Sequence, residues 1–259
     1  MELITNQLER DELSQLNLMA GRKAKYSTAY GAAKKYLTVG LELLDIECWH
    51  NHYNLTLQLY EEATEAMYLN GDFEEMERLA ETVLHKANTL LDKIKVYQVK
   101  IQSLKAQNQI KESLKFGLEI LKLLGINLPK DPETTEIPLA FEATQLALQG
   151  KDIQNLIDLP NMTDPKKLAA TQILLKLCPS AYIVTPVLLL LITFKQIQLA
   201  LEYGNAPTHT HAYGNYGLIL CGVMGELELG YQFGELALNL LGSSSSTSIC
   251  KFVIGSLIK

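Results

Sequence analysis

No C-x-x-C pair occurs in this 259-residue chain, and its four cysteines, Cys48, Cys178, Cys221 and Cys250, are too scattered to frame a disulfide scaffold. Thiols buried in a reducing, cytoplasmic compartment are the reading this spacing supports. Residues 1–10 lack the apolar core of a secretory signal, which argues against export. The loops that cradle phosphates, G-x-x-x-x-G-K-[ST] and G-x-G-x-x-G, are missing too. The nearest glycine cluster, Gly214, Gly217, Gly222 and Gly225, has no Lys-Ser/Thr after it. Without H-R-D or D-F-G there is no protein-kinase catalytic core, and without G-x-S-x-G no nucleophile elbow. Runs of β-branched residues are scarce, which disfavours a strand-rich fold. Positive charge is not gathered on one face and the formal net charge is -6, so nucleic acid is not expected as a partner.

The residues that are abundant point one way. Hydrophobic types make up 47% of the chain, enough for a sizeable core, and Leu, Ala, Glu, Lys and Gln are good helix formers. An all-α protein is expected, with one large domain or two small ones.

A repeat is visible. In LNGDFEEMERLAETVLHKA (69–87), Asn70-Gly71-Asp72 reads as a turn with an N-cap, and Phe73 opens a helix in which Met76, Ala80, Val83 and Leu84 share a face. Tyr60, Ala63, Ala66 and Met67 share a face of the helix before it. The second-helix pattern returns at Tyr30, Ala33, Leu37, Gly40 and Leu41; at Ile110, Ser113, Gly117, Ile120 and Leu121; and at Leu227, Gly230, Gly234, Ala237 and Leu238. The leading residues Tyr30, Phe73, Ile110 and Leu227 are 43, 37 and 117 residues apart, the last being three times 39. Such a period marks a tetratricopeptide-like (TPR-like) solenoid of antiparallel helical hairpins. Glycine inside a helix costs up to about 1 kcal/mol, so Gly40, Gly117, Gly230 and Gly234 mark close helix contacts.

The predicted helices run 9–20, 25–44, 52–69, 73–91, 93–107, 110–124, 134–149, 164–178, 186–203, 208–223 and 226–241. Two irregular stretches, 125–138 and 150–165, interrupt them, and Thr163-Asp164-Pro165 reads as a cap. This divides the chain into hairpins over 1–128, further hairpins over 129–242, and an irregular, weakly structured tail over 243–259, where a serine run begins. Residues 177–194 carry no charge, about the minimum for a membrane span. Pro179 and Pro186 fall inside that stretch, and Thr185-Pro186 is a natural helix start, so a buried helix over 186–203 is favoured over a membrane segment.

Chemistry-bearing residues are few. Cys48-Trp49-His50-Asn51-His52 and Thr208-His209-Thr210-His211 each offer two imidazoles at i, i+2, which face different sides of a helix. Zinc needs three or four convergent ligands, so polar turn residues are the favoured reading, and no metal or cofactor is expected. The alternative is an enzyme with a cryptic metal site joining His50, His52, His209 and His211. Glu61, Glu62, Glu65, Glu74, Glu75 and Glu77 fall on the wet face of amphipathic helices, a solvated surface or a docking patch for a basic partner. Tyr26, Tyr30, Tyr36, Tyr53, Tyr60, Tyr68 and Tyr97 are mostly packing residues, a few of which line a binding groove. The candidate partner-binding set is Tyr60, Glu61, Glu65, Tyr68 and Tyr97.

Several phrases carry a more specific resemblance: AGRKAKYSTAYGAAKKYLTVGLELL (20–44), LTLQLYEEATEAMYLNGDFEEMERLAETVL (55–84), KIKVYQVKIQSLKAQNQIKESLKFGLEILKLLGINLP (93–129), LPNMTDPKKLAATQIL (159–174) and YGNYGLILCGVMGELELGYQFGELALNLL (213–241). Residues 3–242 resemble the helical segment behind the AAA-type ATPase module of large bacterial multidomain signalling proteins. Those proteins chain Ser/Thr kinase, ATPase, helical-repeat, GAF and histidine kinase modules. The resemblance implies a non-catalytic, cytoplasmic module that binds protein partners, the kinase or ATPase modules in cis. It places the family's catalytic residues outside this segment, so none is carried onto positions here. It also implies a charged helix after Leu241, where SSSSTSICKFVIGSLIK stands instead. A fragment of a split or truncated kinase gene without independent activity is therefore a further alternative.

Overall fold

A computed structural model describes residue 4 and residues 6–243; the 244–259 tail and Cys250 lie outside the described residues. Twelve α-helices account for most of these: α1 Gln7–Tyr26, α2 Tyr30–Leu43, α3 Cys48–Asn51, α4 Tyr53–Leu69, α5 Phe73–Lys86, α6 Ile94–Ala106, α7 Ile110–Leu123, α8 Glu136–Leu148, α9 Pro165–Val184, α10 Pro186–Tyr203, α11 His209–Ile219 and α12 Leu227–Ser243. The described residues contain no β-strand, and the one bridge joins Asn161 to Asn205. The chain divides into two compact units, Met1–Asn108 and Gln109–Lys259.

In the first unit α1 packs on α2, α2 on α4, and α4 on α5 and α6. The chain reverses between helices with one recurring turn. Thr28, Gly71 and Asn108 take left-handed φ values of 58°, 82° and 61°, each two residues before Tyr30, Phe73 and Ile110. At the first two turns the chain closes with Ala29 N–H on Ala24 O and Asp72 N–H on Met67 O, both 2.9 Å, which satisfies carbonyls the helix end would strand. Asp72 does not cap α5 with its side chain. Its carboxylate instead accepts hydrogen bonds from Lys34 (2.8 Å) and Asn70 (2.7 Å).

The repeat's inward residues form the core of this unit: Ala33, Leu37, Leu59, Ala63, Ala80 and Val83 are all fully buried. Small residues sit where helices touch. A Cβ on Gly40 would stand 2.7 Å from Leu59, and one on Gly21 would stand 2.5 Å from Leu37. Two expected helix boundaries move: α1 ends at Tyr26 rather than at 20, and α2 begins at Tyr30 rather than at 25. Gly21 does not end α1, which runs on to Tyr26, because the glycine is the notch that receives Leu37 from α2.

In the second unit α7 packs on α9, α9 on α10, α10 on α8 and α11, and α11 on α12. Asp164 caps α9, accepting from Lys166 N–H (2.8 Å) and Lys167 N–H (3.1 Å), with Pro165 at the first helical position. Helix α9 then continues through Pro179 to Val184, past the expected end at 178. An interior proline costs about 3 kcal/mol, and burial of Leu177, Cys178 and Ala181 compensates. Helix α10 begins at Pro186 and ends at Tyr203, as the Thr185-Pro186 start implied. It is long and apolar enough to cross a membrane by length and composition, and half of it is buried inside the unit. Leu227, the leading residue of the fourth repeat copy, is 68% exposed. The inward stripe of α12 is instead set by Phe233, Leu236, Ala237 and Leu241.

An aromatic knot holds this core. Phe233 meets Tyr216 edge-on at 4.8 Å between centroids, and Tyr216 meets Phe194 edge-on at 5.9 Å. The buried hydroxyls are satisfied: Tyr213 donates to Asn205 Oδ1 (2.9 Å), and Tyr216 accepts from Gln145 (3.1 Å). Asn205 ties the irregular 150–165 stretch to the end of α10. Its Nδ2 donates to Leu156 O (2.7 Å), its N–H donates to Pro160 O (2.7 Å), and its carbonyl accepts from Met162 N–H (2.8 Å). Asn205→Ala strands the Tyr213 hydroxyl and leaves the Leu156 carbonyl with only the long 3.4 Å bond from Leu159 N–H. The expected loss is about 2–4 kcal/mol, read as a lower denaturant midpoint with unchanged slope.

Candidate functional site

The polar faces of α1, α4 and α6 meet around one carboxylate. Glu62 on α4 is only 5% exposed. Lys25 of α1 donates to it and to Glu65, while Arg22 donates to Glu62 Oε1 (3.1 Å) and to Gln58 (3.0 Å). From the other side Lys95 of α6 donates to Glu62 Oε1 (2.6 Å). Lys25, Arg22 and Lys95 lie 37, 40 and 33 residues from Glu62 in sequence, each about one repeat away. The Lys34–Asp72 pair and the Tyr53–Asp92 hydrogen bond (2.8 Å) span 38 and 39 residues. Polar contacts one period apart thus join successive hairpins of this unit.

The cluster splits two neighbouring carboxylates. Burial alone would raise Glu62, but the hydrogen bonds and charges of Lys25 and Lys95 outweigh it and hold its pKa down to about 2. Lys25 is correspondingly raised; its own burial opposes the rise, and hydrogen bonds to Glu62 and Glu65 prevail. Glu61, half-buried and hydrogen-bonded to no described group, is pushed up to about 7. Desolvation is the main cause, Glu62 and Asp92 add to it, and Lys95 and Arg22 oppose it. The folded Glu61 carboxyl therefore holds its proton above the pKa of 4.5 it has when unfolded. Its contribution is intact below that value and lost as pH climbs to about 7. Glu61→Gln is expected to remove that loss, stabilising the first unit at pH 8 by roughly 1–3 kcal/mol and leaving it unchanged at pH 4. Thermal unfolding across that range reads the difference.

The structure gathers part of the sequence-predicted set. Glu61, Glu65 and Tyr68 follow one another along α4 at i, i+4, i+7, and all three are half-buried. Tyr60 leaves that face: its ring lies against Trp49 at 5.2 Å, near Arg78 and Glu75 of α5. Tyr97, half-buried on α6, stands near Lys100 and Glu81. Lys100 forms a second seam, donating to Glu77 and to Glu81 (3.0 Å). The expectation that all six glutamates lie on a wet face is corrected at Glu62, which three cations draw between the helices. Glu74 is exposed, and Glu75 makes an exposed two-point pair with Arg78 that contributes little stability. Sequence reasoning missed Arg22, Lys25 and Lys95. Opposite charges one repeat apart were the signal that would have found them.

The histidines separate between the units. His52 pairs with Asp11 of α1 at 3.1 Å. His209 is fully buried, and its Nδ1 accepts the Ala206 N–H (3.0 Å), which puts the proton of the neutral ring on Nε2. Burial pushes its pKa down to about 4. Among the described residues no three His, Cys, Asp or Glu side chains cluster as a metal-binding group. The Cys48 and Cys178 thiols are buried, and Cys178 donates to Leu174 O.

Compared with known proteins, the chain is 24% identical over 267 aligned positions to hybrid signal transduction histidine kinase G of Dictyostelium discoideum. The alignment covers 93% of this chain and 8% of that protein's length. No family model matches the chain, and no solved structure does.

Proposed function

We propose that this chain is a non-catalytic, cytoplasmic protein-interaction module of a signalling kinase, built from TPR-like hairpins of the kind that follow an AAA-type ATPase module. The observation that carries the reading is the seam of α1, α4 and α6. Charges one repeat apart lock neighbouring hairpins, and Glu61, Tyr68 and Glu65, the last also paired with Lys25, are half-exposed on one face for a partner. A helix face that is mixed in charge and edged by an aromatic suits recognition of protein surfaces. The similarity to a histidine kinase across nearly the whole chain supports a signalling role. In this reading the partner is a kinase or ATPase module of the same assembly, and a basic patch on it meets Glu61 and Glu65. Neither nucleic acid nor a membrane is part of the interaction.

Co-purification with the kinase, ATPase and histidine kinase modules of a signalling protein of this kind tests the proposal. Retention of at least one module, lost in the Glu61→Lys, Glu65→Lys double variant, is the expected result. A folded chain that retains none of them contradicts it.

A further inference from the structure

A cleft in the second unit has a chemistry that the interaction surface does not use. It holds about 360 Å³ between α8, α10 and the Leu128–Pro129 stretch. Helix α8 presents Glu136, Leu139 and Ala140 at i, i+3, i+4, and α10 presents Leu191, Phe194, Lys195 and Gln198 at i, i+3, i+4, i+7. The walls are apolar, with Phe194 closing the floor at 1% exposure and Leu139 at the mouth at 70%.

The lining carries one cation, Lys195, and one acid, Glu136, which do not pair with each other. Lys195 donates one hydrogen bond, to the neutral amide oxygen of Gln198 (3.1 Å), and pairs with no acidic side chain among the described residues. An ammonium has three donors, so two remain for a ligand. Gln198 is itself held, its Nε2 donating to Thr144 Oγ1 (3.1 Å), whose hydroxyl donates to Ala140 O (2.8 Å). That chain fixes the lysine's neighbour and leaves the cation facing the cleft. The acid on the opposite rim, Glu136, already accepts the Glu133 N–H (2.9 Å) at the start of α8.

We infer that this cleft binds a small amphipathic carboxylate, with its apolar chain along Leu139, Leu191 and Phe194 and its carboxylate on Lys195. The volume takes roughly a dozen water-sized groups, which matches a straight-chain acid of about eight to ten carbons. Apolar walls with one convergent cation give affinity through burial and direction through the charge-assisted hydrogen bond. Glu136 sets a limit, since its charge lies across the cleft from Lys195 and opposes an anion.

Titration calorimetry of the full chain with octanoate and decanoate, below their micelle concentrations, tests this. Both acids are expected to bind and octylamine is not. Lys195→Met weakens octanoate roughly ten-fold, Lys195→Arg keeps most of the affinity, and Glu136→Gln tightens it. Opposite shifts from two rim variants cannot arise from a general loss of fold, which circular dichroism of each variant checks independently. Equal binding of octanoate and octylamine, or no effect of Lys195→Met, overturns the inference. Tighter binding of acetyl-leucyl-leucine as the free acid than of octanoate also overturns it, because the cleft would then read a protein's C-terminal carboxylate.

Discussion

Ala80→Glu is expected to unfold the first unit. Ala80 is fully buried on α5, in the core formed by Leu59, Ala63, Met76 and Val83. A glutamate there has no cation within the core to meet it and no room for its side chain. An unpaired buried charge costs several kcal/mol, and overpacking adds about 1–3 more. Whole domains are typically stable by only about 5–15 kcal/mol. The measurement is thermal unfolding followed by circular dichroism, with loss of about half the helical signal at 25 °C or a collapse of the first transition. Glu74→Ala, on the exposed side of the same helix, serves as the control and should shift stability by no more than about 0.5 kcal/mol. An unchanged melting temperature for Ala80→Glu would mean that α5 packs through a different face.

Glu62→Gln is the second large effect. The amide keeps the shape but removes the charge that Lys25, Arg22 and Lys95 surround. Lys25, its side chain 17% exposed, is then left with Glu65 alone, and Lys95 keeps only a 3.8 Å approach to Glu65. Breaking a buried ion cluster by removing one member costs about 3–5 kcal/mol, and the depressed pKa of Glu62 points to a similar size. The sign with pH follows from the same shift. Glu62 has its pKa lowered on folding, so its contribution is present above about 4.5 and is lost as pH falls towards 2. Wild type and Glu62→Gln should therefore differ most near neutral pH and converge in acid. A constant difference down to pH 2 would show that the loss is one of packing rather than charge.

Much of the first unit was legible because its rules are local. The left-handed turns at Thr28, Gly71 and Asn108 stand at the repeat spacing, and Ala33, Leu37, Met76, Ala80 and Val83 are inward as the helical period required. Where the reading failed, a long-range contact decided. Gly21 looks like a helix breaker until Leu37 is placed against it. Pro179 looks like a helix end until the burial of Leu177, Cys178 and Ala181 around it is seen. Glu62 looks like any solvated glutamate in an acidic run, and only the meeting of α1, α4 and α6 makes it the buried centre of the seam. Side chains 33–40 residues apart share no local pattern, although in a repeat their separation is itself a clue. Likewise the split of Glu61 from Glu62 depends on which of two adjacent side chains reaches the lysines, and that is a matter of helix rotation set by packing.

The central claim is that the face of α1, α4 and α6 docks a protein partner from a signalling kinase. Crosslinking of the intact chain to the kinase and ATPase modules of such a signalling protein, with mapping of the linked lysines, tests it most directly. Links concentrated at Lys25 and Lys95 and abolished by Glu61→Lys with Glu65→Lys are the predicted result. Links absent from this face, or unaffected by the double variant while the chain stays folded, would contradict it.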